Sequence, residues 1–237
     1  MKMLYCVGCG PGDYELLTLK AARLIKECEI IFYPTSKKGR ESMALSIIKP
    51  IIDARENKPE LIELIFPMVK DKRVLEETWS KNAKIIAENC KDGKIAVYLC
   101  VGDPSLYSTF SHIYKRLKDY NLTIEIVPGI ASMLSFAAEA KINLAEGDDI
   151  LSIIPACYDL ERAKSIAEAS DTLIFLKDGR YFANVMKILR DSKFKNSKLA
   201  IAENISSENS VIKISSIKDF NDMPVEKYFS IMVVKNE

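Results

Sequence analysis

The sequence predicts an α/β protein of two lobes, with a mostly parallel sheet in the N-terminal lobe and a mixed sheet in the C-terminal one. Three observations carry this. Short apolar runs alternate with longer stretches whose apolar residues recur at helical spacing. The run KIAVYLCVG (94–102) is apolar enough to be a strand buried on both faces, the environment of a central parallel strand. The final strands have no long helices between them, so antiparallel pairing enters there.

The elements follow in order. KMLYCVG (2–8) is a short apolar strand. LLTLKAARLIKEC (16–28) is helical through Leu17, Ala21, Leu24, Ile25 and Cys28. EIIFYP (29–34) is a second strand, stopped by Pro34. The charged loop SKKGRES (36–42) leads to MALSIIKPII (43–52), a helix that ends or kinks near Pro50. LIELIF (61–66) is a third strand, and residues 71–90 form a long helix with the only tryptophan, Trp79. After the strand at 94–102, a helix carries Leu106, Phe110, Ile113, Tyr114 and Leu117 on one face. Lys115, Arg116 and Lys118 near its C-terminus suit the helix dipole. LTIEIVPG (122–129) is a fifth strand.

A second unit begins near residue 129, giving lobes of 1–128 and 129–237. It opens with the small-residue helix IASMLSFAAEAK (130–141). Strand ILSIIPA (150–156), helix LERAKSIAEAS (160–170), strand TLIFLK (172–177) and a helix around 181–190 follow. Strands near 198–203 and 210–214 and the last strand, YFSIMVV (228–234), complete it. Two such lobes leave a cleft between them for a ligand.

Composition narrows the function. Lys plus Arg is 34 and Asp plus Glu is 33, so no global field draws nucleic acid or a membrane surface. An anionic ligand must be met by a local cluster. The N-terminus lacks the long apolar core of a signal peptide, and no apolar run spans a bilayer, so a cytoplasmic protein is expected. Six cysteines are scattered: Cys6, Cys9, Cys28, Cys90, Cys100 and Cys157. Cys6 and Cys9 have the spacing of a redox pair or half a zinc site. His112 is the only histidine and there is no second CxxC. Two small residues at a strand end is therefore the better reading, and no protein-bound metal is expected. His112 itself reads as a structural or surface helix residue.

The turn VGCGPGDYELLT (7–18) poses the main question. A dinucleotide fingerprint wants a third glycine where Asp13 stands. Pro11 also removes an N–H that could hold a pyrophosphate, and Asp13 would repel one. The stretch fits a tight turn that brings backbone close to a less anionic ligand, or a plain connector. CVGDPSLYSTF (100–110) ends another buried strand, where ligands of open α/β sheets sit. Asp103 either faces a ligand bearing hydroxyls, an amine or a positive centre, or caps the next helix, with Ser105 as a second candidate cap. VPGIAS (127–132) makes a third such turn, whose small residues leave room for a ligand or for close helix packing.

VGCGPGDYELLTLKAARLI, GDPSLY and VPGIAS, in this order, resemble the tetrapyrrole methylase family. The resemblance covers nearly the whole chain. It implies S-adenosylmethionine-dependent methyl transfer, two α/β lobes with the cofactor in the cleft, and a homodimer. The alanine-rich helix at 130–141 is one candidate for the contact between subunits. Within the family, IIFYPTSKKGRESMALSI (30–47), GDPSLYSTF (102–110) and the terminal YFSIMVV resemble the branch that methylates carbon C20 of precorrin-2 or of its cobalt-containing counterpart, cobalt-factor II. The cofactor contacts this implies fall on Pro11, on Val101, Gly102, Asp103 and Leu106, on Ala131 and Ser132, and on Leu176, Lys177 and Ala202. Ala131 departs from the pattern, where a hydroxyl residue is common.

The residues agree with that ligand. S-adenosylmethionine has no phosphate and a positive sulfonium, which suits a proline-interrupted turn with acids nearby. A reduced tetrapyrrole supplies its own nucleophilic carbon, so no strong general base is required and none is assigned. Tyr107 and Asp103 are candidates for positioning. The macrocycle's rim of carboxylates calls for cations, and Lys37, Lys38 and Arg40 supply them from one loop. That loop is otherwise simply solvated. Lys177 and Arg180 are weaker candidates. The competing readings are a methylase acting at another ring position, one acting on RNA or a protein histidine, a nicotinamide-dependent oxidoreductase, and a non-enzymatic cofactor-binding module.

Overall fold

Strands in the first 131 residues pair only in parallel. The computed structural model describes residues 2–155, 159–176, 181–203, 205–206, 209–220 and 230–236. The chain forms two compact units, divided after residue 131. The first holds β1 (Met3–Gly8), α1 (Leu19–Glu27), β2 (Ile30–Thr35), α2 (Met43–Asp53) and β3 (Glu60–Ile65). It continues through α3 (Lys72–Asn89), β4 (Ile95–Cys100), α4 (Phe110–Leu117) and β5 (Thr123–Val127).

The sheet order is β3-β2-β4-β1-β5, with β4 at the centre as its apolar run requires. Side chains alternate across it. Leu4, Cys6, Phe32, Tyr98 and Cys100 meet α3 and α4 on one face. Val7, Ile31, Val97 and Leu99 meet α1 and α2 on the other. The chain leaving β1 runs through α1 to β2, beyond β4. The chain leaving β4 runs through α4, on the opposite face, to β5, beyond β1. Connections therefore diverge between β4 and β1, which makes the carboxyl ends of these strands the switch point where open α/β sheets bind ligands.

The second unit holds α5 (Ser132–Ala140), β6 (Leu151–Pro155), α6 (Leu160–Ala169), β7 (Thr172–Leu176) and α7 (Phe182–Arg190). Strands β8 (Lys198–Glu203), β9 (Val211–Ser216) and β10 (Ser230–Lys235) follow. Its order is β6-β7-β10-β8-β9. Only β6 and β7 are parallel, so the sheet is mixed. Helices α6 and α7 pack on one face and α5 on the other.

Three local expectations need correcting. Pro34 lies inside β2 rather than stopping it. Pairing with β4 ends at Phe32, while pairing with β3 continues to Thr35. Pro34 thus sits where one side of the strand no longer needs a donor. Helix α2, by contrast, ends near Pro50 as expected, at Asp53. Leu106 does not belong to α4, which starts at Phe110, and Ser105 caps no helix. The first-loop helix also starts late: a short 3-10 turn at Tyr14–Leu16 is capped by Asp13, and Thr18 then caps α1.

Arg55 fastens the end of α1. Its guanidinium donates to the carbonyls of Ile25 and Cys28 at 2.7 Å each, and its Nε to that of Asn57 at 3.0 Å. A cation here satisfies helix-end carbonyls and complements the dipole. Arg55→Ala is expected to lower stability by about 1–3 kcal/mol in denaturant titration, with Arg55→Lys recovering part of it.

Candidate functional site

Strands β1, β4 and β5 end within backbone contact of one another. A Cβ on Gly8 would lie 2.6 Å from the Gly129 nitrogen and 2.7 Å from the Gly102 carbonyl oxygen, and one on Gly129 would strike the same carbonyl. No other residue fits at these two positions without moving backbone. Above this junction the first two loops bridge directly. Gly102 N–H donates to the Gly10 carbonyl at 2.7 Å, and Gly10 N–H to the Gly102 carbonyl at 3.3 Å. Gly102 holds φ +70°, and a Cβ there would meet only the Ile130 carbonyl, at 3.9 Å.

Asp103 ties the second loop to the third. One carboxylate oxygen accepts from the Ser105 N–H at 2.8 Å and from the Ser105 hydroxyl, and the other from the Gly129 N–H at 3.0 Å. Burial pushes this carboxyl up, but the Ser105 hydroxyl and the Gly129 and Ser105 N–H groups outweigh it and hold it below the ordinary carboxylate range. Both oxygens thus have partners within the protein. The side chain sets the loops rather than capping α4. Tyr107, four residues on, has φ +50°, a left-handed conformation that costs a bulky residue energy. Its ring is half exposed.

The remaining expected positions divide. Val101 is exposed beside Gly102, and Leu106 and Ser132 are half-buried. Pro11 and Ala131 are buried. In the second unit, Leu176 and Ala202 face the same residue, Ile231, from the two sides of β10. Both side chains pack in the core. Lys177 and Arg180 lie outside the described residues, as does Cys157.

The CxxC spacing does not make a pair. Cys6 Sγ lies 3.6 Å from Cys100 Sγ on the neighbouring strand, while Cys9 Sγ points to the Val7 carbonyl. Burial raises the thiols of Cys6 and Cys9, and those of Cys28 and Cys90 to about 11. Among the described residues, no group of three or more His, Cys, Asp and Glu is arranged to hold a metal. No helix among them is long and apolar enough to cross a membrane. His112 stacks on Trp79 with ring centroids 3.8 Å apart, packing α4 on α3.

Lys37, Lys38 and Arg40 are exposed on the loop after β2, and none has a carboxylate within ion-pair distance among the described residues. Sequence reasoning missed the residue that holds this loop. Glu63 of β3 accepts from Thr35 Oγ1 at 2.8 Å and from Gly39 N–H at 3.0 Å, through the same carboxylate oxygen. Only the strand pairing, which sets Tyr33 opposite Glu63, could have pointed to it.

A parallel sheet whose strand-end loops converge on bare backbone at the switch point is the arrangement in which open α/β proteins bind small molecules. The comparisons are specific. Residues 3–221 match the family described as Tetrapyrrole (Corrin/Porphyrin) Methylases, and the chain belongs to that family. It is 37% identical over 237 residues to a probable cobalt-precorrin-2 C(20)-methyltransferase of Methanocaldococcus jannaschii, covering 99% of this chain and 96% of that one. The fold is shared with a cobalt precorrin-4 methyltransferase (TM-score 0.74, 21% identity, 98% of this chain and 94% of that one). It is shared too with a uroporphyrin-III C-methyltransferase of Thermus thermophilus complexed with S-adenosylhomocysteine (TM-score 0.67, 19% identity, 98% and 97%).

Two outcomes follow from this geometry. Alkylation of the native protein at pH 8, mapped by mass spectrometry, is expected to leave Cys6, Cys9, Cys28, Cys90 and Cys100 unmodified until denaturant is added. Asp103→Ala is expected to lower the melting temperature and weaken S-adenosylhomocysteine binding. Because the folded carboxyl is held below its unfolded range, that stability difference is full at neutral pH. It shrinks as pH falls through the folded carboxyl's own titration.

Proposed function

We propose that this chain is an S-adenosylmethionine-dependent C-methyltransferase of cobalamin biosynthesis that methylates C20 of precorrin-2, in its cobalt-containing form. The observation that carries the reading is the full-length relationship to the archaeal enzyme, joined to intact loops at the switch point. The residues fit the cofactor's chemistry. Gly102 offers backbone without a side chain, Val101 and Leu106 offer apolar flanks, and Pro11 and Asp13 in the first turn do not suit a phosphate. S-adenosylmethionine, when bound, supplies a methyl group on a positively charged sulfur.

The chain's own part is placement. Displacement at a methyl carbon is in-line, and holding two reactants in that line can contribute about 7–11 kcal/mol. Asp103 locks the second loop to the third, so the backbone at Gly102 and Gly129 keeps a fixed spacing. Tyr107, raised on a strained loop, positions the macrocycle. Lys37, Lys38 and Arg40 meet its rim carboxylates. The reading extends, through the family, to a cytoplasmic homodimer.

Incubated anaerobically with S-adenosylmethionine, the protein is expected to add one methyl to cobalt-containing precorrin-2, assigned to C20 by NMR, and to do so faster than to the metal-free ring. Methylation of neither ring would overturn the substrate. Binding of NAD in preference to S-adenosylhomocysteine would overturn the class. Replacing Lys37, Lys38 and Arg40 together by Ala is expected to raise the tetrapyrrole KM about tenfold or more and leave the S-adenosylhomocysteine Kd unchanged.

A further inference from the structure

Three cations on one exposed loop recognise a carboxylate pattern only if the loop has a shape before the substrate arrives. Long flexible side chains on a mobile segment lose conformational freedom when a ligand immobilises them. The loop here is short and fastened at both ends. At its far end Ser42 donates to the Pro34 carbonyl at 2.8 Å and caps α2 through the Leu45 N–H. Between the ends, Lys37 to Arg40 form a turn. The Lys37 carbonyl accepts from the Arg40 N–H at 3.1 Å, and Gly39 takes φ +70° at the third position. That is the glycine position of a type II turn. The Arg40 guanidinium reaches back to Ser36 Oγ at 3.2 Å.

The middle of the turn is held by one group from outside it. Glu63 accepts from the Gly39 N–H and, with the same oxygen, from the Thr35 hydroxyl, which is buried at the end of β2. The carboxylate therefore binds the turn to the strand end. It does so without pairing with any of the three cations, although it is the negative charge nearest to hand on the adjacent strand. Their charges stay available while their backbone is fixed.

We propose that Glu63 is a positioning residue for tetrapyrrole recognition: it presets the Lys37–Arg40 turn so that its cations match the carboxylates on the substrate's rim. This rests on the reading of that loop as the substrate's clasp. Glu63 touches neither substrate nor cofactor. Its effect belongs in substrate binding and not in the methyl-transfer step.

The experiment compares Glu63→Ala, Glu63→Gln, the Lys37/Lys38/Arg40→Ala triple variant and the quadruple variant that adds Glu63→Ala. Tetrapyrrole KM, kcat, S-adenosylhomocysteine Kd and amide hydrogen exchange at Gly39 are measured for each. Glu63→Ala is expected to raise KM about five- to tenfold and to speed exchange at Gly39, with kcat and the S-adenosylhomocysteine Kd unchanged. Glu63→Gln keeps an accepting oxygen and is expected to restore most of both effects. The quadruple variant should show no further rise in KM over the triple one, since Glu63 acts through the cations. If the triple variant raises KM and Glu63→Ala does not, the positioning role is overturned and the clasp stands. The role also fails if Glu63→Ala shifts kcat and S-adenosylhomocysteine Kd together with KM, because the residue is then a general support of the fold. An unchanged KM in the triple variant removes the clasp itself and the inference with it.

Discussion

The structure turns on one contact, the meeting of three strand ends at bare backbone. Gly8, at the end of β1, lies against Gly129 after β5 and against the Gly102 carbonyl after β4. The absence of a Cβ at two positions lets the loops converge. What converges is main chain, rich in amides and carbonyls and poor in side chains. The Asp103 carboxylate then completes the junction by bonding to both sides of it.

This arrangement explains why the site resembles a dinucleotide turn and yet is not one. Glycines gather at the first βα turn in both. In a dinucleotide site they clear the way for a pyrophosphate over a helix N-terminus. In this chain Asp13 caps a short 3-10 turn at that point, and α1 starts only at Leu19, behind its own Thr18 cap. The glycines serve the loop-to-loop bridge between Gly10 and Gly102. The local composition is similar, but the backbone groups are directed at a neighbouring strand rather than at phosphate oxygens.

Much of the fold was legible because its signals are local. The apolar run at 95–100 gave the central strand, and helical spacing gave all the main helices. What escaped depended on partners far along the chain. Pro34 reads as a strand stop unless it is known that β2 is unpaired on one side by then. Leu106 fits a helical face by spacing, but Ser105 and Asp103 close a turn on themselves and delay the helix to Phe110. The site showed the same split. Motif residues such as Gly102 and Asp103 announced a binding edge, whereas Asp103's commitment to Gly129, the pairing of Cys6 with Cys100, and Glu63's hold on Gly39 follow only from strand order. Cys6 and Cys9, read as two small residues at a strand end, pack in the cores on opposite faces of the sheet.

The cation loop hangs from β2 and is held from β3, at the outer edge of the sheet, while the glycine junction lies at β4, β1 and β5. The two share no hydrogen bond. A substitution in the loop can therefore drift, or be selected, without disturbing the junction. The edge of the sheet can change its charges while the junction, which admits no side chain at Gly8 or Gly129, stays as it is.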